Sequence, residues 1–197
     1  MPRPCDVRNW GVLDLGYAPS KLREPPASMC GIVGIVSSHP VNQQVYDALA
    51  LLQHRGQDST GIATAEGSII HMFKAKGQVR EAYRTRDMRT LLGNVGLGHV
   101  RCATKGSASS EEEAQPFYVN APYGIVLVHN GNLTNTRELT QELFHIDRRH
   151  LNTSSDTELL VNVLANELQA VISGLELDPA QIFEAVARVH RRVQGSY

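Results

Sequence analysis

CGIVGIV, residues 30 to 36, runs into SSHP at 37 to 40 and then VNQQVYDALALLQH at 41 to 54, and the reading of this stretch decides the fold. The first segment is short, apolar and rich in Ile and Val, and Ser37, Ser38 and Pro40 bound it, which predicts a buried strand. The segment after it puts Val45, Leu49 and Leu52 on one helical face, with Gly56 as a stop just beyond. A strand followed by a helix is therefore expected from Cys30 onward. GIATA (61–65) and SIIHMFKA (68–75) have strand character and meet across Glu66 and Gly67, a spacing that suits an antiparallel hairpin. QVREAYRTRDMRTLLG (78–93) reads as one short helix. VGLGHVRCAT (95–104) and YGIVLVHNG (123–131) read as further strands. KGSASSEEEAQPF (105–117) between them is a polar loop long enough to cover a site.

The C-terminal part is helical. Asn135 and Glu138 have capping-box spacing, so Asn135 is expected to cap a helix over TRELTQELF (136–144). Ser155 can cap a helix with Leu160, Val163, Leu164, Leu168 and Val171 on one face, and Asp178-Pro179 opens another. The terminal VQGSY resembles the beginning of one more strand. Early strands and late helices together indicate an α+β domain of antiparallel sheets covered by helices. Residues 1–29 are rich in proline and scattered charge and lack periodicity, so they read as a leader outside the core, either a propeptide or a mis-assigned start. One domain over 30–197 remains.

Composition narrows the function classes. A hydrophobic share of 42% and a charged share of 20% fit a soluble globular protein. With 19 Lys and Arg against 20 Asp and Glu, no bulk positive field exists to hold nucleic acid. No apolar run approaches a membrane span or a secretory signal. Cys5, Cys30 and Cys102 are few, odd in number and far apart, which argues against a disulfide framework or a self-contained metal site and for the cytoplasm.

Cys30 follows Met29. Translation from Met29 and removal of that methionine would leave Cys30 with a free α-amine, which titrates near ~8 and can take the thiol proton. Attack of the thiolate on an amide builds charge on the carbonyl oxygen. HNGN (129–132) can supply donors to it, the Asn130 side-chain amide and the Gly131 N–H, although Asn-Gly after a strand is also a tight-turn signal. Free glutamine carries an α-carboxylate and an α-ammonium. Arg101 at a strand end and Asp156 at a helix start could hold these, or could serve a structural ion pair and the helix dipole. Another reading pairs Cys102 with His54, His99 or His129. The EEE run at 111–113 reads as a solvated loop.

In this order CGIVGI, LQHRGQDSTG, GHVRCATKGS, EAQPFYV, HNGNLTN and NTSSDTE resemble the class II glutamine amidotransferases of the N-terminal-nucleophile type, and within them the amidophosphoribosyltransferases. The resemblance covers residues 30–197. It implies a four-layer α/β/β/α sandwich with Cys30 as nucleophile and Asn130 and Gly131 as oxyanion hole. It further implies that Arg101 and Asp156 clamp the glutamine carboxylate and amine, with Thr104 assisting the carboxylate. The implied chemistry is hydrolysis of glutamine to glutamate and ammonia for phosphoribosylamine synthesis, the first step of purine biosynthesis. No cofactor or metal is implied for this domain. Magnesium belongs with a phosphoribosyltransferase domain whose motifs are missing here; that domain normally shares the chain, and the complete protein is expected to be a homo-oligomer. The resemblance leaves open whether that protein holds an iron-sulfur cluster. Cys102 stands where the family usually has Tyr, in a neighbourhood that couples the two active sites of relatives. The alternatives are a non-catalytic module that retains its leader, or the glutaminase domain of another class II amidotransferase.

Overall fold

The structure is a computed structural model and describes residues 30–102, 112–174 and 176–197. The leader, Thr104 and residues 105–111 of the polar loop lie outside the described residues. Strand β1 (Gly31–Val36) and helix α1 (Asn42–Leu51) form as expected, and a 3₁₀ turn (Leu52–Arg55) carries the chain to Gly56. Strands β2 (Ser59–Glu66) and β3 (Ile69–Lys76) make the expected hairpin, with Gly67 at φ 59° in the connection. Strand β4 (Val95–Arg101) inserts between β1 and β2, giving an antiparallel sheet ordered β1-β4-β2-β3.

The expected single helix over 78–93 is two short ones, α2 (Val79–Ala82) and α3 (Thr85–Thr90). Tyr83 and Arg84 between them are extended. The physical reason is Tyr83: its ring is drawn into the core, 5.9 Å from the Tyr46 ring and 5.1 Å from the Phe73 ring, and the backbone leaves the helical path to deliver it. The 123–131 strand also contracts, to β6 (Ile125–Leu127), paired with β5 (Phe117–Val119). β5 begins at the end of the segment that reads as loop, because three residues are too few to establish a period.

Strand β7 (Asn132–Leu133) pairs with β8 (Gly195–Ser196), so VQGSY does contain strand. Helices α4 (Thr136–His145), α5 (Asp156–Val171) and α6 (Pro179–Arg192) account for the rest. Ser155 caps α5 by accepting the Thr157 N–H, and Asp178 forms a capping box on α6. The expected Asn135 cap of α4 does not form. The Asn135 amide instead donates to the Arg192 carbonyl at 2.8 Å and accepts the Gln194 N–H at 2.9 Å. The last carbonyl of α6 and an N–H just past its end need partners, and this bridge supplies them while tying the start of α4 to the residue before β8.

These elements stack in four layers. Helix α1 packs on β1, β4 and β2, where Val41, Val45, Leu49, Ile62, Leu91 and Val100 are fully buried. Burial contributes about 1.5–3 kcal/mol for each such side chain, so this contact anchors the sheet. On the opposite face the segment that leads into β5 approaches so closely that a Cβ on Gly61 would lie 2.0 Å from the Gln115 carbonyl oxygen. Helix α5 covers β5 and β6 and packs on α4 and α6 through Leu139, Leu143, Leu159, Val163 and Val189. The fold is therefore the expected α+β sandwich of antiparallel sheets between helices. Among the described residues no helix is long and apolar enough to cross a membrane.

Candidate active site

The residue just before β1, the end of β4, the turn from β6 to β7 and the first turn of α5 converge on one cavity of about 320 Å³. That volume lies at the small end of the range for small-molecule sites, roughly 300–1,000 Å³. Cys30, Arg101, Glu113, His129, Gly131 and Asp156 line it. The convergence follows from strand alternation. Gly31 faces the 3₁₀ turn that follows α1, where its Cβ would meet Leu52 and the β4 residue Val100, so Cys30 faces the other way, into the gap between the sheets.

The Cys30 backbone is held from two sides. Its carbonyl accepts the Arg55 Nε–H at 3.1 Å and the Asn130 side-chain amide at 3.0 Å. Its thiol points at the Cys102 carbonyl oxygen, 3.9 Å away. Burial pushes the Cys30 thiol above the ordinary range, and the Arg101 charge counteracts this only in part. The thiol is therefore a poor nucleophile without a neighbouring base.

Asn130 and Gly131 form a rigid turn. The buried Gln115 side chain brackets the preceding residue by accepting the His129 N–H and donating to the His129 carbonyl at 3.0 Å. At Gly131 a Cβ would lie 2.0 Å from the Ser196 carbonyl oxygen and 2.7 Å from His129 Nε2, so only glycine fits beneath β8. Asp156 accepts the Leu133 N–H at 3.2 Å and lies 3.6 Å from His129 Nδ1. Burial pulls the Asp156 carboxyl upward. The contact with His129 and the Leu133 and Thr157 amides outweigh it and hold the group below its usual range.

Arg101, expected to clamp the substrate carboxylate, lines the cavity, and its guanidinium donates to Glu113 at 2.8 Å. Glu113 accepts Ser154 Oγ–H at 2.9 Å through its second oxygen. This corrects the expectation of a solvated acidic run for Glu113, because its side chain is only 11% exposed. Sequence reasoning missed Glu113, Arg55 and Gln115 as neighbours of Cys30, although EAQPF and HRGQD contain them. The Cys102–His alternative finds two of its histidines committed elsewhere. His54 Nδ1 contacts the Leu51 carbonyl at the surface, and His129 contacts Asp156, Thr157 and Ser196.

His99 is the third. It is fully buried on the inner face of β4, and neither ring nitrogen reaches hydrogen-bond geometry with a described residue. Burial and the Arg101 charge lower its pKa to about 3. Unfolded, the imidazole titrates near ~6.5, so the unfolded chain binds a proton that the folded one refuses. The resulting stabilisation is complete above that pH and is lost as pH falls towards about 3, by up to ~1.4 kcal/mol per pH unit. Urea unfolding followed between pH 7 and 4 should therefore show a shallower pH dependence for His99→Gln than for the unsubstituted protein. Equal slopes would mean that His99 is protonated in the fold.

Among the described residues, no group of three or more His, Cys, Asp or Glu side chains is placed to hold a metal ion.

A family model described as a glutamine amidotransferase domain matches residues 84–176. Amidophosphoribosyltransferase of Pasteurella multocida (strain Pm70) is 55% identical over 170 residues, which is 86% of this chain and 33% of that protein. The Escherichia coli (strain K12) amidophosphoribosyltransferase is 52% identical over the same shares. Among solved structures, glutamine phosphoribosylpyrophosphate amidotransferase from B. subtilis, complexed with ADP and GMP, superposes with a TM-score of 0.66 at 27% identity. That match covers 83% of this chain and 33% of the other. The chain thus spans about a third of the length of the relatives it matches. Over residues 84–176 it is similar to the glutamine amidotransferase domain, and over 86% of its length to amidophosphoribosyltransferases.

Proposed function

We propose that residues 30–197 hydrolyse the side-chain amide of glutamine, with Cys30 as the first residue of the mature protein. The observation that carries this reading is that Cys30, Arg101, Gly131 and Asp156, from four separate segments, line one cavity. The Cys30 α-amine takes the thiol proton, and Sγ attacks the amide carbon. The Gly131 N–H and one N–H of the Asn130 amide stabilise the oxyanion, the other Asn130 N–H remaining on the Cys30 carbonyl. The Cys30 α-ammonium returns the thiol proton to the amide nitrogen, and ammonia leaves as the tetrahedral intermediate collapses to a thioester. Water then attacks the thioester, releasing glutamate and returning the thiol. Arg101, aided by Thr104, holds the substrate carboxylate, and Asp156 holds its ammonium.

In the complete protein the ammonia would pass to a phosphoribosyltransferase domain of the same chain. That domain, with magnesium, would make phosphoribosylamine from phosphoribosyl pyrophosphate at the start of purine biosynthesis, in a cytoplasmic homo-oligomer. The test is ammonia release from glutamine by two preparations, one beginning at Cys30 and one beginning at Met1. Activity is expected only in the first, since a peptide bond at the Cys30 nitrogen removes the base. Equal turnover by the longer preparation overturns the mechanism.

A further inference from the structure

The guanidinium assigned to the substrate carboxylate already holds a carboxylate. Arg101 Nη2 and Glu113 Oε2 are 2.8 Å apart, with side chains only 17% and 11% exposed, so solvent screens the pair weakly. Ser154 Oγ–H fixes the other Glu113 oxygen. Ser154 itself is exposed, as is Glu112, which places Glu113 at the rim of the cavity, with solvent beside it. Asp156 supplies a second carboxylate in the same cavity.

Charge matching shows what an amino-acid substrate meets there. Its head group brings one negative and one positive charge. With Glu113 in place, the cavity holds one more negative charge than with Glu113 turned out, and beside the Cys30 α-amine two carboxylates compete for the single guanidinium of Arg101, which is costly in a confined space. With Glu113 turned out into solvent, the α-carboxylate pairs with Arg101 and the α-ammonium with Asp156, one to one. Coexistence of Glu113 and the substrate carboxylate at Arg101 is the unfavourable arrangement.

We propose that Glu113 is an internal competitor for the carboxylate subsite. Its side chain occupies Arg101 when the cavity is empty, and an α-amino acid binds by exchanging its own carboxylate for that of Glu113. The inference rests on the assignment of Arg101 as the carboxylate clamp. The contact sets affinity and selectivity without entering the chemical step. A ligand that brings both an α-carboxylate and an α-ammonium gains a second ion pair at Asp156 to offset the exchange, whereas a simple carboxylate does not.

Glutamine binding to mature protein carrying Cys30→Ala, which cannot turn over, tests this by isothermal titration calorimetry. Adding Glu113→Gln is expected to tighten glutamine binding roughly 3- to 30-fold, the gain when a binding-competent fraction of about a third to a thirtieth becomes complete. Ser154→Ala, which removes the second anchor of Glu113, is expected to give a smaller gain and keeps the test open if Glu113→Gln does not fold. The α-carboxamide derivative of glutamine, which has no carboxylate to exchange, should gain nothing from either change. Unchanged or weaker glutamine binding in both variants overturns the proposal. If no version binds glutamine at all, the fault lies with the assignment of the site.

Discussion

Cys30→Ala in the protein that begins at residue 30 is expected to abolish ammonia release from glutamine, a loss on the order of 10⁴-fold or more in kcat. The substitution removes the only atom proposed to bond covalently to the substrate, and without it water must attack an unactivated amide. Glutamine affinity should survive, because Arg101 and Asp156 reach the cavity from β4 and α5 rather than from β1. Cys30→Ser is the sharper version. It keeps an oxygen nucleophile of similar shape beside the same α-amine, but a serine hydroxyl gives up its proton far less readily than a thiol, so activity should remain within a few per cent of zero. The check is kcat from ammonia release together with the dissociation constant for glutamine. An alanine variant with full kcat would remove Cys30 from the reaction.

Asn130→Ala is the second large effect. Loss of a preorganised oxyanion donor typically lowers kcat by about 10²–10³-fold, or roughly 2.7–4 kcal/mol of transition-state stabilisation. Here the same amide also donates to the Cys30 carbonyl at 3.0 Å, so the substitution loosens the nucleophile's backbone as well. Arg55 holds that carbonyl from the other side, which should keep Cys30 near its place. The effect is therefore expected mainly in kcat, with KM changed only a few-fold. A variant whose KM rises while kcat holds would make Asn130 a ground-state binding residue and leave the Gly131 N–H as the donor to test.

Both experiments concern residues legible in the sequence, and their legibility has a cause. Cys30 is marked by Met29 before it and an apolar strand after it, Asn130 and Gly131 by a turn signal after a strand, Asp156 by a capping serine before a helix. Each is a local pattern, and local backbone physics sets it. Glu113 shows the opposite case. Within EEE it has the composition of a solvated run, and nothing in its neighbours foretells that one of the three acids is buried against Arg101, twelve positions earlier in the chain. Tyr83 and Asn135 fail for the same reason. A helix period and a capping-box spacing are valid local preferences. A ring drawn between Tyr46 and Phe73, and two backbone groups at the end of α6 that need the Asn135 side chain, outweigh them.

By itself the order of residues determined the strand-then-helix start, the hairpin, the antiparallel α+β architecture, and which side chains have the chemistry to attack an amide. Those properties depend on hydrophobic period, turn chemistry and functional groups, all of which a short window of sequence contains. The tertiary structure alone decided that Cys30, Arg101, Gly131 and Asp156 share one cavity, that Asn130 and Arg55 grip the same carbonyl, and that Glu113 sits on Arg101. Those facts depend on distances between segments a hundred residues or more apart in the chain, and such distances arise only when the layers close on one another.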